Sequence, residues 1–490
     1  MNLRRLILAL TFIAIFAMSA RISMDTDSWW HLRTGHTISA TRSIPKTDTF
    51  SFTRYGETWR YPSAAWLSQW AMFQLHRLAG PAALNLAVAA LVTTAFAFLY
   101  PTLTGGPFLR ALVLILTAAT AAVYWAARPH ILTFLFFALF LWRLEGYRWG
   151  RASHLYLLPP AMLLWANSHP GFAAGFILLA IYALDETISA ISRAWPLDLS
   201  KIAPALRNSR LPHYALIAFL MLIAASINPS GPAMLAYPFE TLSIGVLRDF
   251  IQEWQSPDFH NLAMQPFLWT LLLLIAALGF SKKSIAASEL LLIGVFAYMA
   301  FLAGRNIALF ALAAAPALSR HAEGPLSALA ARLGLRLQTR AAPNRAQSLL
   351  NLNLLLVFLL LAAFKISQVL PAEANMRAFN AVLPQKAVAL LREQGPPGRL
   401  FNSYNWGGYL IWALPEKPVF VDGRTDLYDD DLLTAWLSIV AAEPGWESKL
   451  AHWEIDLVLL EPHWPLLPLL QEKGWALLLE DEISVLYARP

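Results

Sequence analysis

A polytopic α-helical membrane protein of about eleven transmembrane helices, with a soluble α/β domain at its C-terminus, is the fold class the sequence predicts. Three observations carry this. Hydrophobic residues make up 57% of the 490 positions and charged residues only 14%, where soluble domains carry about 25% charge. Apolar runs near the roughly 20 residues that cross a bilayer recur along the first 370 positions. From Pro371 to Pro490 the composition is mixed, charged throughout, and holds no run long enough to span. A disordered or fibrous chain is excluded, because aromatics reach 12% and neither Gly nor Pro recurs with a fixed period.

The candidate spans are 4–21, 83–104, 108–127, 131–142, 155–166, 171–191, 213–227, 266–280, 285–303, 306–319 and 348–370. Runs as short as 131–142 and 155–166 read as halves of kinked helices. With Met1 inside, the cytoplasmic connections collect 17 basic residues, among them Arg4, Arg5, Arg143, Arg148, Arg151, Lys282, Lys283, Arg336 and Arg340. That is the positive-inside bias. The basic pI of about 9.4 therefore expresses topology, and nucleic acid is not an expected partner. The start of the chain, two arginines followed by an apolar stretch and Ala-Met-Ser-Ala, also fits a secretory signal peptide. Either reading places Asp25 outside, and an uncleaved first helix keeps the charge balance.

Residues 1–370 thus form a transmembrane domain with a first outer loop at 22–82 and a basic cytoplasmic linker at 320–347. Residues 371–490 form the outer domain. Short apolar runs at 399–402, 408–414, 418–422, 456–461, 475–480 and 483–488 are bounded by Gly, Pro and Asp, with helices expected at 378–393 and 430–442. No internal repeat of the solenoid or inverted-transporter kind is present.

The same orientation gathers every specific-looking polar segment on the outer face. Asp25 and Asp27 follow the first helix at the membrane surface, where two carboxylates converge on one metal or one substrate hydroxyl if the backbone between them is irregular. The competing role for Asp27 is to cap a short interfacial helix over 28–40, anchored by Trp29 and Trp30. His31, Gln69 and His76 share the loop. Arg128 and His130 stand between two apolar runs, where an Arg is costly unless it meets water, a carboxylate or an anion. Asn167 and His169 bring hydrogen-bonding groups to a break that Pro170-Gly171 alone would turn. Glu253 and Asp258 supply a second acidic pair, and Arg305 with Asn306 repeats the pairing of cation and amide at a helix mouth. Arginines and histidines converging there would make a phosphate pocket, since Arg presents bidentate donors. The sequence has no cysteine, so a metal would need His, Asp and Glu ligands; a divalent cation remains open. No Gly-rich nucleotide loop follows a strand, so no nucleotide cofactor is expected.

Acidic groups at a lipid surface facing a cationic pocket suit one reaction in particular. A sugar on a polyprenyl phosphate presents its anomeric carbon at that level. Glycosidases need two carboxylates because an alkoxide leaves poorly. A phosphate leaves once neutralised, so one carboxylate base suffices.

The arrangement Asp25-x-Asp27-x-Trp-Trp-His31-Leu-x-x-Gly35 after the first membrane helix, with later Arg-Pro-His, Asn-x-His-x-Gly, Asn-Pro-x-Gly and Gly-Arg-Asn elements, resembles bacterial integral-membrane proteins of the GT-C glycosyltransferase superfamily. Segments Phe401–Tyr409 and Val421–Asp426 are similar to segments of the same group. The superfamily's better-known members are protein mannosyltransferases and lipid A aminoarabinose transferases. The resemblance implies a multi-helix fold, an amphipathic helix and an acidic catalytic residue in the first outer loop, and a lipid-phosphate sugar donor. By position the acidic role falls on Asp27 or Asp25. Arg128, His130, His169 and Arg305 are assigned to the donor phosphate from topology, with His31, Asn167, Glu253, Asp258 and Asn306 as substrate-binding groups. In the outer domain Asn402, Asn405, Asp422, Arg424 and Asp426, beside Tyr404 and Trp406, bind sugar or acceptor, or else serve turn chemistry.

The function expected is an inverting hexosyl or pentosyl transfer from a polyprenyl-phosphate donor to a glycan, lipid or protein acceptor, on the outer face of the inner membrane. A transporter or flippase of lipid-linked glycans would want ionisable groups deep within helices. A non-enzymatic scaffold with a binding domain would tolerate mutation of the first loop. The orientation is directly testable. A reporter fused after Pro490 should be active only outside the cytoplasm, and activity confined to the cytoplasm would overturn the shared outer face.

Overall fold

The computed structural model describes residues 1–151, 154–193, 199–242, 252–335 and 343–490. Arg336 and Arg340 of the basic linker lie outside them. The chain is a multi-pass helical protein with one small sheet, in two compact units. The first comprises Met1–Arg21, Asn85–Leu235 and Gln252–Val369; the second comprises Ile22–Leu84, Ala236–Ile251 and Leu370–Pro490.

In the first unit the helix Ile307–Arg332 is the centre. Its residues from Ile307 to Ser319 are buried without interruption. Six alanines in that stretch let the helices Pro107–Ala121, Gln265–Phe280 and Ala287–Leu302 approach it closely, which is how helices associate where lipid removes the usual hydrophobic drive. Aromatic contacts lock the layers, with Phe267 against Phe310 at 5.2 Å and Phe137 against Phe296 at 4.9 Å. The helix Arg345–Ser367 packs on Leu3–Ser19 but leaves nearly all of its leucines exposed, as a lipid-facing helix does.

Among the described residues six helices are long and apolar enough to cross a membrane, or seven if Lys201–Arg207 and Leu211–Ser226, bent by 52°, make one span. The expected runs at 155–166 and 285–303 fold as shorter apolar helices, Leu155–Ala166 and Ala287–Leu302. The run at 83–104 belongs to a longer helix, Tyr61–Leu99, broken at Ala79 and Gly80. Gly80 takes a positive φ of 59° and Pro81 follows, so the backbone cannot continue straight.

The second unit is built on four strands in the order β1-β2-β4-β3: β1 Arg399–Asn402, β2 Ile455–Leu460, β3 Ala476–Glu480 and β4 Val485–Ala488. β1 and β2 run parallel and the other pairings are antiparallel. β2 buries Ile455 and Leu457 to Leu460, the apolar run a strand covered on both faces requires. The expected helix at 378–393 is two, Ala372–Asn380 and Gln385–Gln394. Pro384 separates them, and the residue before a proline is disfavoured in helix. The run at 408–414 is a helix, Gly407–Ala413, and 418–422 is extended without joining the sheet.

That extended piece pairs instead with the first loop. Phe52 donates its N–H to the Val419 carbonyl and Val419 donates to Phe50, each at 3.1 Å. Asn402 holds the other side, donating to the Val421 carbonyl and accepting from the Phe420 N–H, both at 2.8 Å. Beneath lies Arg424, fully buried. Its guanidinium pairs with Asp48 of the first loop and with Asp422 at 2.6 Å, while the Tyr428 hydroxyl donates to Asp422 at 2.6 Å. Trp59 covers the guanidinium face at 4.7 Å.

Removing the cation while leaving its partners would strand two buried carboxylates, a change that costs about 3–5 kcal/mol. Arg424→Met should therefore lower the thermal midpoint of the purified chain by many degrees. An unchanged midpoint would show that the network does not hold this unit together.

Candidate functional site

The sequence-expected site residues fall in both units. In the first unit Arg128 and Arg305 converge on a single carboxylate. Arg128 reaches Glu253 at 3.2 Å and Arg305 reaches it at 3.4 Å, and the Arg305 guanidinium also stacks on Trp254 at 4.4 Å. Burial raises the Glu253 pKa, but the two guanidiniums more than offset it and hold the carboxyl down to about 2. Glu253 is thus ionised at any physiological pH. The cluster keeps a net positive charge and both arginines remain partly exposed, at 19% and 23% of their side chains.

Two histidines stand beside them, 6.5 Å apart between ring centres. His130 Nε2 donates to the Tyr124 carbonyl at 2.6 Å, which fixes its tautomer. His169 is fixed by a relay. Trp165 Nε1 donates to Thr133 Oγ1 at 2.9 Å, so the Thr133 hydroxyl donates onward to His169 Nδ1 at 2.8 Å. The Gly171 N–H donates to the same nitrogen at 3.0 Å. The proton of His169 is left on Nε2, and burial pushes its pKa well below the usual range, so it acts as a neutral donor. A Cβ at residue 171 would lie 2.4 Å from Thr133 Oγ1 and 2.8 Å from His169 Nδ1. Only glycine leaves room for the relay.

The other sequence-expected groups of this unit serve differently. Asn167 donates to the Leu163 carbonyl at 2.9 Å and the Ile227 carbonyl at 2.8 Å, and accepts from Asn228 at 3.3 Å. The pair ties the ends of two helices together. Asn306 donates to the Met299 carbonyl at 3.0 Å across a helix junction. Asp258 is exposed and paired with His260 at 3.0 Å.

In the second unit Asp25 and Asp27 form one turn, with Asp25 accepting from the Asp27 N–H at 3.0 Å. Asp27 precedes the helix Ser28–Thr41, yet its side chain makes no cap hydrogen bond among the described residues. Its carboxylate lies against Gly423, where an added Cβ would stand 1.8 Å from Oδ1. The turn also sits on Gly408, whose added Cβ would meet the Thr26 carbonyl at 2.7 Å. His31 is fully buried, stacked on Trp30 at 3.5 Å and contacted through Nδ1 by the Gln69 amide at 3.1 Å. Nearby in sequence to Gly423, Asp426 accepts from the Tyr237 hydroxyl at 2.7 Å. Burial raises its pKa to about 6, against the hydrogen bond and the Arg424 charge.

Sequence reasoning singled out Asp422, Arg424 and Asp426 but not their division of labour, and it missed Tyr124, Thr133 and Trp165 altogether. Thr133 and Trp165 sit on apolar helices where nothing in the pattern separates them from packing residues. Among the described residues no three His, Asp or Glu side chains are placed to hold a metal ion.

No protein-family model matches the chain, and no curated protein matches it. Solved structures do. AglB, an archaeal oligosaccharyltransferase from Archaeoglobus fulgidus solved with an inhibitory peptide and a dolichol-phosphate, superposes with a TM-score of 0.59 at 11% identity, over 93% of this chain and 69% of AglB. The apo form of the Archaeoglobus fulgidus oligosaccharyltransferase gives 0.54 at 13% identity, over 92% and 69%. The chain has the fold of these membrane glycosyltransferases. The arabinofuranosyltransferase AftD from Mycobacteria gives 0.53 at 13% identity, over 100% of this chain and 40% of AftD. The polytopic helical architecture expected from the sequence is therefore the one observed.

The Arg128–Glu253–Arg305 arrangement makes a direct prediction. Glu253→Gln removes the anion both guanidiniums share and should tighten inorganic pyrophosphate binding about tenfold, the scale of one charge-assisted contact. Calorimetry of the detergent-solubilised chain measures it, and unchanged or weaker binding would show that these arginines do not face an anion site.

Proposed function

We propose that the chain is an inverting membrane glycosyltransferase, which moves a sugar from a polyprenyl-phosphate donor to an acceptor hydroxyl or amide on the outer side of the inner membrane. The observation that carries this reading is the convergence of Arg128 and Arg305 on one carboxylate beside His130 and His169. It lies within a fold shared with AglB, an enzyme solved with a lipid phosphate.

In this reading Arg128 and Arg305 neutralise the donor phosphate, with Glu253 giving way to it, and the Nε2–H of His169 donates to a phosphate oxygen. The anomeric carbon–oxygen bond then breaks without a general acid, because the leaving group is a stabilised phosphate. Asp27, or Asp25, takes the proton from the acceptor as its oxygen or nitrogen bonds to the anomeric carbon from the opposite face. One bond forms, one breaks, and the configuration inverts. Asp27 is favoured because its carboxylate lies against Gly423, beside the buried Asp422–Arg424 pair.

Asn preserves the shape of Asp but has no proton affinity near neutral pH, and a general base is typically worth about 10²- to 10⁴-fold. Asp27→Asn or Asp25→Asn should therefore leave the chain folded and inserted yet lose most transfer from extracted polyprenyl-phosphate sugars. Lys at 128 or 305 keeps the charge but loses the bidentate fork, and should weaken donor binding. Near-normal transfer by both Asn variants would reject the first loop as the catalytic element.

A further inference from the structure

The helix His130–Arg148 has 19 residues and separates the Arg128 cluster at its start from a second cationic cavity about 28 Å away at its end. That cavity, of about 660 Å³, is lined by Trp142, Arg143, Trp149, Arg151, His154 and Arg210, among others. Its three guanidiniums have no carboxylate within 4 Å among the described residues. Arg143 is only 6% exposed, its Nε has no partner there, and one Nη reaches the His154 carbonyl at a long 3.5 Å. Arg210 donates to the Arg148 carbonyl at 2.7 Å and stacks on Tyr147 at 5.3 Å. Glu145 also lines the cavity, but its oxygens are taken by the Tyr182 hydroxyl at 2.7 Å and Trp149 Nε1 at 2.8 Å.

A buried guanidinium with an orphaned N–H is expensive to keep unless something supplies the missing acceptor. An anion with several oxygens, which is what a phosphate ester offers, would supply acceptors to the three guanidiniums at once. Tyr156 and Leu157, 57% and 50% exposed, and Trp149 at 44% give the surroundings the aromatic and apolar surface that borders acyl chains. We propose that this cavity binds the phosphate headgroup of an anionic membrane lipid, at the opposite end of the helix from Arg128. The site is separate from the transfer reaction and does not rest on it.

The test uses the full chain in mixed micelles of phosphatidylglycerol and phosphatidylcholine, read by native mass spectrometry, with inorganic phosphate as the competing arm. Wild type should retain phosphatidylglycerol severalfold over phosphatidylcholine, and inorganic phosphate should not displace it. Arg143→Gln should abolish the preference. Arg151→Gln, at an exposed position, should reduce it without disturbing the fold. Equal retention of both lipids by wild type would overturn the proposal, as would an undiminished preference in both variants. Displacement of the lipid by inorganic phosphate would overturn the lipid assignment in favour of a soluble phosphate.

Discussion

The buried guanidinium of Arg424 is the constraint on which the second unit depends. A cation with no exposure cannot stay charged without compensation, and the compensation comes from two distant parts of the chain. Asp48 belongs to the first loop; Asp422 and Tyr428 belong to the C-terminal segment. Their meeting joins these stretches, and the pairing of 50–52 with 419 follows beside it. The same joint brings Gly423 against the Asp27 carboxylate. A structural ion pair thereby decides where a candidate catalytic group can stand.

In the first unit electrostatics are arranged for the opposite end. Arg128 and Arg305 share a single carboxylate, so the cluster is held together but not neutralised. Two arginines each paired with its own acid would have no reason to accept an anion, whereas two sharing one can exchange it for a phosphate that bonds to both. His169 adds a hydrogen-bond donor without adding charge, since burial keeps it neutral and the bond from the Gly171 N–H helps fix its tautomer. Packing around Gly171 sustains that choice.

Much of this was legible in the sequence. Hydropathy located the helices, and mixed composition located the sheet, whose strands at 399–402, 455–460, 476–480 and 485–488 fall on the expected apolar runs. The apolar run at 408–414 is too short for its periodicity to separate helix from strand, and Gly407-Gly408 before it resemble a turn. In the fold they let the helix Gly407–Ala413 approach Val421 and Thr26 closely. Arg128, Glu253 and Arg305 were visible because charge among apolar residues is costly and demands a partner. Glu253 was an expected partner for either arginine, but that both share it was not legible, because 125 positions separate Arg128 from Glu253 and no local pattern encodes so distant a contact. Arg424 could not be told from a ligand-binding arginine either, because burial leaves no mark on the sequence.

The central claim is that the cationic cluster of the first unit serves a lipid-phosphate sugar donor. Mass spectrometry of the lipid that co-purifies with the full chain from its native membrane tests it most directly. The account predicts a polyprenyl phosphate, bare or glycosylated, retained through purification and displaced by added pyrophosphate. Retention of bulk phospholipid alone, with no polyprenyl species above the level found on an unrelated membrane protein, would contradict it.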